Sequence, residues 1–387
     1  MALAVCLPSS VVGAATGFSV AKGPSYSRHV AFNDVACVSK SWCWAVGAQL
    51  NPDGSPRGTL AESWNGTRWT TGSIPKNGGS FPGLYGISCV SRQFCVAVGS
   101  VYVSAEVEQP IVLMWNGKSW YRPALPALPT PGPNGDKLSS VACTSTRSCF
   151  AVGFQSLLQR EEPGQPGAAD TTLVERWNGR VWEVMSSPNE GPYGNLLDAV
   201  ACGTNYCEAA GFYEQADQSG MGYPNPEQPL VERWNGKTWW VLPSPSNASS
   251  YAGVYGIGCS SSSRCVATVD SYDIPFGGES ATVMTCSNVA CILDSPPASQ
   301  SPYETSGGFL QGVACAVGSQ CYVVGSYAYD ASGDTRTIVQ VLTGTAWSRL
   351  ASASPSVSSE LLGIFCVGGT CMAVGSSAKG VLIERKA

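Results

Sequence analysis

Ser140-Val-Ala-Cys143, then Cys149-Phe-Ala-Val-Gly153, then Leu173-Val-Glu-Arg-Trp-Asn-Gly179 with Trp182 three residues on: variants of this stretch recur along the chain, and the recurrence decides the fold. The first element returns as Asp34-Val-Ala-Cys37 with Cys43, Gly86-Ile-Ser-Cys89 with Cys95 and Ala199-Val-Ala-Cys202 with Cys207. It returns again as Gly256-Ile-Gly-Cys259 with Cys265, Gly312-Val-Ala-Cys315 with Cys321 and Gly363-Ile-Phe-Cys366 with Cys371. Successive first cysteines lie 51 to 59 residues apart, a period that marks a repeat architecture rather than separate domains. Each copy opens with a β-prone run, a short turn and a second β-prone run ending in glycine. The Asn-Gly between Trp177 and Trp182 favours a tight two-residue hairpin turn, which supplies strands three and four. Four antiparallel strands repeated in this way predict an all-β, seven-bladed β-propeller, with blade starts near residues 33, 85, 139, 198, 255, 311 and 362.

Blade five carries an internal check. The pairs Trp64 and Trp69, Trp115 and Trp120, Trp177 and Trp182, and Trp234 and Trp239 are replaced there by Cys286 and Cys291 at the same separation of five. Two positions that change together read as cross-strand neighbours, and the cysteine pair as an additional disulfide. Blade six keeps half of the pattern, Leu342 opposite Trp347. The last copy stops at Leu382-Ile-Glu-Arg-Lys386, with no fourth strand of its own. Phe18-Ser-Val-Ala-Lys-Gly-Pro24 aligns without gaps on Trp182-Glu-Val-Met-Ser-Ser-Pro188. Residues 17–24 are therefore expected to complete the last blade, with the propeller spanning residues 16–387.

The Val-Ala-Cys and Cys-x-Ala-Val-Gly elements, followed by Val-Glu-Arg-Trp-Asn-Gly-x-x-Trp, resemble repeat proteins of actinobacteria and related bacteria that are mostly predicted to be secreted. The resemblance covers nearly the whole chain and implies a fold and a compartment. It carries over no catalytic residue, since that group has no assigned activity. More distantly, the Asn-Gly-x-x-Trp hairpin is similar to the Kelch repeat and to the Asp-box turn of sialidase-like propellers, although no Ser-x-Asp-x-Gly-x-x-Trp occurs.

Composition points to the same compartment. Seventeen cysteines at even spacing indicate disulfides and an oxidising environment, so a secreted or cell-surface location is expected. Met1 to Ala15 is apolar and ends in small residues, with no Lys or Arg ahead of the apolar run; it reads as a weak signal peptide or the remnant of a longer one. Its removal takes Cys6 with it and leaves sixteen cysteines. Beyond it no apolar run reaches the ~20 residues of a transmembrane helix. A net charge of −5 with no run of Lys or Arg argues against nucleic acid as a partner. With two thiols per blade and one histidine in the chain, the Cys pairs are poor zinc sites, and no cofactor is expected.

His29, the only histidine, excludes a catalytic triad and a multi-histidine metal centre built within the chain. The tryptophans could stack on sugar rings, but their strict register favours packing between blades. Small residues before the first cysteine, such as Ala36, Ser88, Ala142, Ala201, Gly258 and Ala314, fit strands converging on an axis, which Phe365 would partly plug. In an up-and-down blade the cystine turns and Asn-Gly turns share one face, and every long, variable connection lies on the other. Binding is expected on the loop-rich face. Its connections gather Tyr213, Tyr223, Tyr272, Phe276, Tyr327 and Tyr329 with Glu214 and Asp273, together with Glu161, Glu162, Asp217 and Asp330. Such a mixture could stack on and hydrogen-bond an extracellular glycan or protein. The leading expectation is a secreted, monomeric binding or scaffold propeller. The alternatives are a carboxylate-dependent glycoside hydrolase or lyase at the axial mouth, and a purely structural surface protein.

Overall fold

The computed structural model describes residues 17–24, 29–76, 79–104, 107–129, 131–157, 170–215, 226–245, 250–273, 278–294, 308–316, 320–329 and 334–386. Met1 to Ala15 lies outside them. The described strands form seven four-stranded antiparallel sheets, the seven blades of a propeller. Blade one is typical, with strands Val30–Ser39, Trp42–Leu50, Pro56–Trp64 and Trp69–Thr71. Blade seven closes the ring. Its strands Glu360–Val367, Thr370–Ser377 and Gly380–Lys386 are joined at the edge by Ser19–Val20. Ser19 pairs with Arg385 and Val20 with Glu384, the register in which Glu183 and Val184 meet Arg176 and Glu175 in blade three. No described helix is long and apolar enough to cross a membrane.

The cysteine and tryptophan columns lie where their spacing placed them. The cystine Cys37–Cys43 and its equivalents Cys89–Cys95, Cys143–Cys149, Cys202–Cys207, Cys259–Cys265, Cys315–Cys321 and Cys366–Cys371 each join strands one and two of a blade. Cys286–Cys291 joins strands three and four of blade five, in the cross-strand pair that Trp64 and Trp69 occupy in blade one. Such a set of disulfides indicates an oxidising environment. Seven clusters of buried apolar side chains form the core, one at each blade–blade interface. Each tryptophan pair faces the preceding blade, and Trp64, Trp120, Trp182, Trp234 and Trp239 are all buried. Their repetition therefore reflects blade packing, in which large aromatic faces fill the wedge between twisted sheets.

The repeated glycine has a different role from the one its position at the end of a short β-prone run suggested. Strand two runs through it, to Tyr102 in blade two and Glu214 in blade four. In all seven blades strand one bulges between the residue opposite this position and the next paired residue, as between Phe32 and Asp34 or Leu84 and Gly86. The bulge presses strand one's backbone onto strand two. A Cβ on Gly47, Gly99, Gly153 or Gly325 would lie 1.9 Å from a carbonyl oxygen of strand one. Blade five has Val269 at this position and is the exception. Because pairing continues past this position, Tyr213, Glu214, Tyr272, Asp273 and Tyr327 lie on strands rather than in loops.

Strand three carries another column that the spacing did not single out. Two residues before the first tryptophan position stand Glu62, Leu113, Glu175, Glu232, Met284, Gln340 and Glu384, all buried. The side chain faces the connection leaving the preceding blade. Glu232 accepts a hydrogen bond from Ser187, and Glu384 accepts one from Ser352 at 2.8 Å. Both serines stand five residues after the second tryptophan position. Leu125 holds that place ahead of blade three, and neither carboxylate oxygen of Glu175 has a hydrogen-bond partner among the described residues. Burial pushes its pKa up from 4.5 to about 7. A carboxyl group whose pKa is raised on folding costs nothing below its unfolded value and progressively more as pH climbs through that window. Glu175→Leu, which copies Leu113 beside Ile74 in blade two, should therefore raise the melting temperature at pH 8. The recovered cost is on the order of 3 kcal/mol at pH 8 and fades toward pH 5. Melting curves at the two pH values check this; a gain independent of pH would assign it to packing instead.

Candidate functional site

The bulge that explains the glycine also builds the axis. Its unpaired residue lies four positions ahead of the first cysteine and is, from blade one to blade seven, Asn33, Tyr85, Ser139, Asp198, Tyr255, Gln311 and Leu362. All seven line a central cavity of about 420 Å³. A bulge re-aims a side chain that regular pairing would direct into the sheet's face. The cavity is also lined by Ser88, Ala142, Ala201, Gly258, Ala314 and Phe365, from the small-residue column with its one aromatic departure.

Adjacent inner strands are stitched together below the bulges. Asp34 accepts hydrogen bonds from its neighbour's amide, Val35 N at 2.7 Å, and from Ile87 N of blade two at 2.9 Å. Asn33 donates to the Leu84 carbonyl at 2.8 Å. Burial nevertheless outweighs the two amides and raises the Asp34 pKa to about 7.

Charge gathers on the blade three to five side of the mouth. Asp198 is pushed up by burial, against the opposing pull of the Lys137 ammonium and the Ser139 hydroxyl. Glu227 reaches about 7 through burial, with Glu214 and Asp198 adding repulsion. Glu214 and Glu227 sit directly across from each other on strands two and three of blade four. Tyr255 is raised by burial and by the charges of Glu227, Asp198 and Asp270, so its hydroxyl stays protonated. The Lys137 ammonium of blade three also lies 4.5 Å from the centre of the Tyr85 ring of blade two. The mouth thus offers phenol, amide and hydroxyl groups beside carboxyl groups whose pKa values burial raises.

No family model and no curated protein matches the chain. Solved structures do. An ulvan lyase of a polysaccharide lyase family is 9% identical with a TM-score of 0.54, covering 96% of this chain and 94% of that one. A protein of unknown function from Dyadobacter fermentans is 11% identical with a TM-score of 0.50, covering 95% and 97%. The WD40 β-propeller domain of Doa1 is 11% identical with a TM-score of 0.49, covering 95% and 97%. Likeness at this identity is of fold alone.

Of the residues expected on the loop-rich face, the described ones come from blades four, five and six. Glu214 stands across from Glu227 on strands two and three of blade four and does not line the axial cavity. Tyr213, one position earlier, is half-buried and accepts a hydrogen bond from Gln215 Nε2 at 3.0 Å. Tyr327 and Tyr329 are each covered by an arginine of blade six, Arg349 at 4.6 Å and Arg336 at 3.4 Å from the ring centres. Tyr272 and Asp273 end strand two of blade five, paired with Glu279 and Gly278. Tyr223, Phe276, Glu161, Glu162, Asp217 and Asp330 lie outside the described residues. His29 is exposed at the entry to blade one. Among the described residues the one grouping with metal-ligand spacing is Glu208 with Cys259 and Cys265, whose sulfurs are joined in a disulfide and offer no thiolate.

Asn33, Tyr85, Ser139, Asp198, Tyr255 and Gln311 are the residues that sequence reasoning missed. The signal was present as a column of unlike side chains inside an otherwise repeated strand.

Proposed function

We propose that the protein is a secreted glycan-binding propeller whose axial mouth takes up a polyhydroxylated ligand. One observation carries this reading: the frame repeats from blade to blade, while the seven bulge residues that line the cavity are almost all different and six of them are polar. A structural filler would repeat with the frame. Sugar hydroxyls both donate and accept, which matches phenols, amides and carboxyl groups, and the Tyr85 and Tyr255 rings supply faces for stacking. Calorimetric titration of the oxidised protein with soluble cell-wall polysaccharide fragments tests it. Tyr255→Ala and Asp198→Asn should each weaken binding about tenfold, in line with the loss of a buried stacking or hydrogen-bonding group. Tyr329→Ala, at an exposed ring away from the axis, should leave binding unchanged. Absence of saturable binding to any fragment sinks the proposal.

A second reading is supported by Glu227, which is held near pH 7 with the charge of Asp198 adding to its rise. Carboxyl groups of unequal acidity can serve as acid and base in glycan cleavage. Release of reducing ends or unsaturated products from the same fragments, lost in Glu227→Gln, would establish it.

A further inference from the structure

The face that carries the cystine and Asn-Gly turns holds a pocket of its own, between blades three and four. Its volume is about 410 Å³, and Thr144, Ser148, Thr204 and Asn205 line it together with Arg176. Among the described residues no carboxylate lines it.

Arg176 stands one position before the first tryptophan of its blade, where blade four has Arg233. Across the sheet from Arg233 is Glu208, and the two form a buried ion pair, with a further bond from the guanidinium to the Ser262 carbonyl. Across from Arg176 is Phe150 instead. The guanidinium carbon lies 5.6 Å from the Phe150 ring centre and 5.8 Å from that of Trp234 in the next blade. Its Nε is buried with no acceptor, and no carboxylate lies within ion-pair distance among the described residues. Glu183, its neighbour on strand four, is instead bonded by Asn178 Nδ2 at 2.7 Å. The third equivalent, Arg385, donates to the Lys40 carbonyl at 3.4 Å.

Aromatic rings fix the position of a guanidinium without neutralising it, which leaves its remaining N–H groups free for an oxyanion. We infer that this pocket binds an acidic sugar, with Arg176 taking the carboxylate or sulfate and the threonine, serine and asparagine side chains taking ring hydroxyls. Among the described residues the charge has no carboxylate partner, and the surrounding groups are short neutral donors of the kind that suit a polyol rather than a second charge.

The experiment titrates the oxidised full chain with glucuronate, glucose 6-sulfate and uncharged glucose at constant ionic strength. At least one acidic sugar should saturate, and glucose should bind at least about tenfold more weakly, the loss expected without a charge-assisted hydrogen bond. The two acidic sugars separate a carboxylate from a sulfate preference. Arg176→Gln should abolish the difference between acidic and neutral sugar. Phe150→Glu, which copies Glu208 of blade four and supplies the missing partner, should do the same. Arg180→Gln, at an exposed arginine of the neighbouring Asn-Gly turn, should bind as wild type. Melting curves verify that each variant folds, and Arg176→Gln decides the matter should Phe150→Glu fail to fold. Tyr255→Ala should retain this binding, which keeps the outcome separate from that at the axial mouth. Equal affinity for glucose, wild-type binding in Arg176→Gln, or tighter binding of a short Glu-rich peptide than of either sugar would overturn the inference.

Discussion

Full reduction should unfold this protein. Each of the eight disulfides closes a loop of only five or six residues in sequence separation. The chain-entropy treatment gives such a short loop ~2 kcal/mol, so eight contribute on the order of 15 kcal/mol in sum. A domain's whole margin of stability is about 5–15 kcal/mol, so the reduced chain has little or nothing left. The covalent links also act where packing cannot, because the charge-poor blades each own only half of two interfacial cores. Under a phosphine reductant, the tryptophan fluorescence of the oxidised form should shift to that of solvated indole, and near-ultraviolet circular dichroism should collapse at 25 °C. A reduced protein that melts within about 10 °C of the oxidised one would show that packing between blades suffices.

Deleting residues 17–24 should have the next largest effect, because that segment closes the ring. Phe18 is buried between blades six and seven against Val324, Val339 and Leu382. Its amide donates to the Ala351 carbonyl at 2.7 Å, and Ala21 N donates to the Ile383 carbonyl at 2.8 Å. Truncating a buried phenylalanine alone costs about 3–5 kcal/mol. Loss of the whole segment also bares the edge of Gly380–Lys386, with the buried Glu384 behind it. An open strand edge is a template for pairing with another chain. The truncated protein should melt at least about 10 °C lower, by the usual conversion of such a loss for a large domain. It should also sediment as concentration-dependent oligomers. Phe18→Ala should lower the melting temperature without exposing the edge, and so without oligomers. Unchanged melting and a monomeric truncated chain would mean that the ring is held shut by blade packing alone.

Both results follow from features legible in the amino-acid sequence. Cys286 and Cys291 replace a tryptophan pair, and in the folded chain they are cross-strand partners like Trp64 and Trp69. Phe18 aligns with Trp182, and the strand after it pairs in the matching register. Such inferences succeed because one structural position is sampled seven times in one chain, so a substitution in one blade can be read against the other copies.

The axial residues escaped the same comparison for a physical reason. A bulge present in every blade leaves the repeat length unchanged, so spacing reveals nothing. Alternation then assigns Tyr85 or Tyr255 to the wrong side of the strand. Only the glycine opposite betrays the close backbone approach, and it reads equally well as the end of a strand. The connections are shorter than the spacing suggests for a related reason: strands continue past the position of that glycine, which turns Tyr213, Tyr272 and Tyr327 into paired residues.

The sequence by itself determined the seven blades, their disulfides and the shared seventh blade, since these depend on period and on residues that replace one another in register. The tertiary structure alone decided which side chains meet. Asp198, Glu227 and Tyr255 come from two blades, and Arg176 lacks the carboxylate that Arg233 has because Phe150 stands across the sheet from it. Proximity between blades depends on how twisted sheets pack around the axis, and no local pattern encodes it.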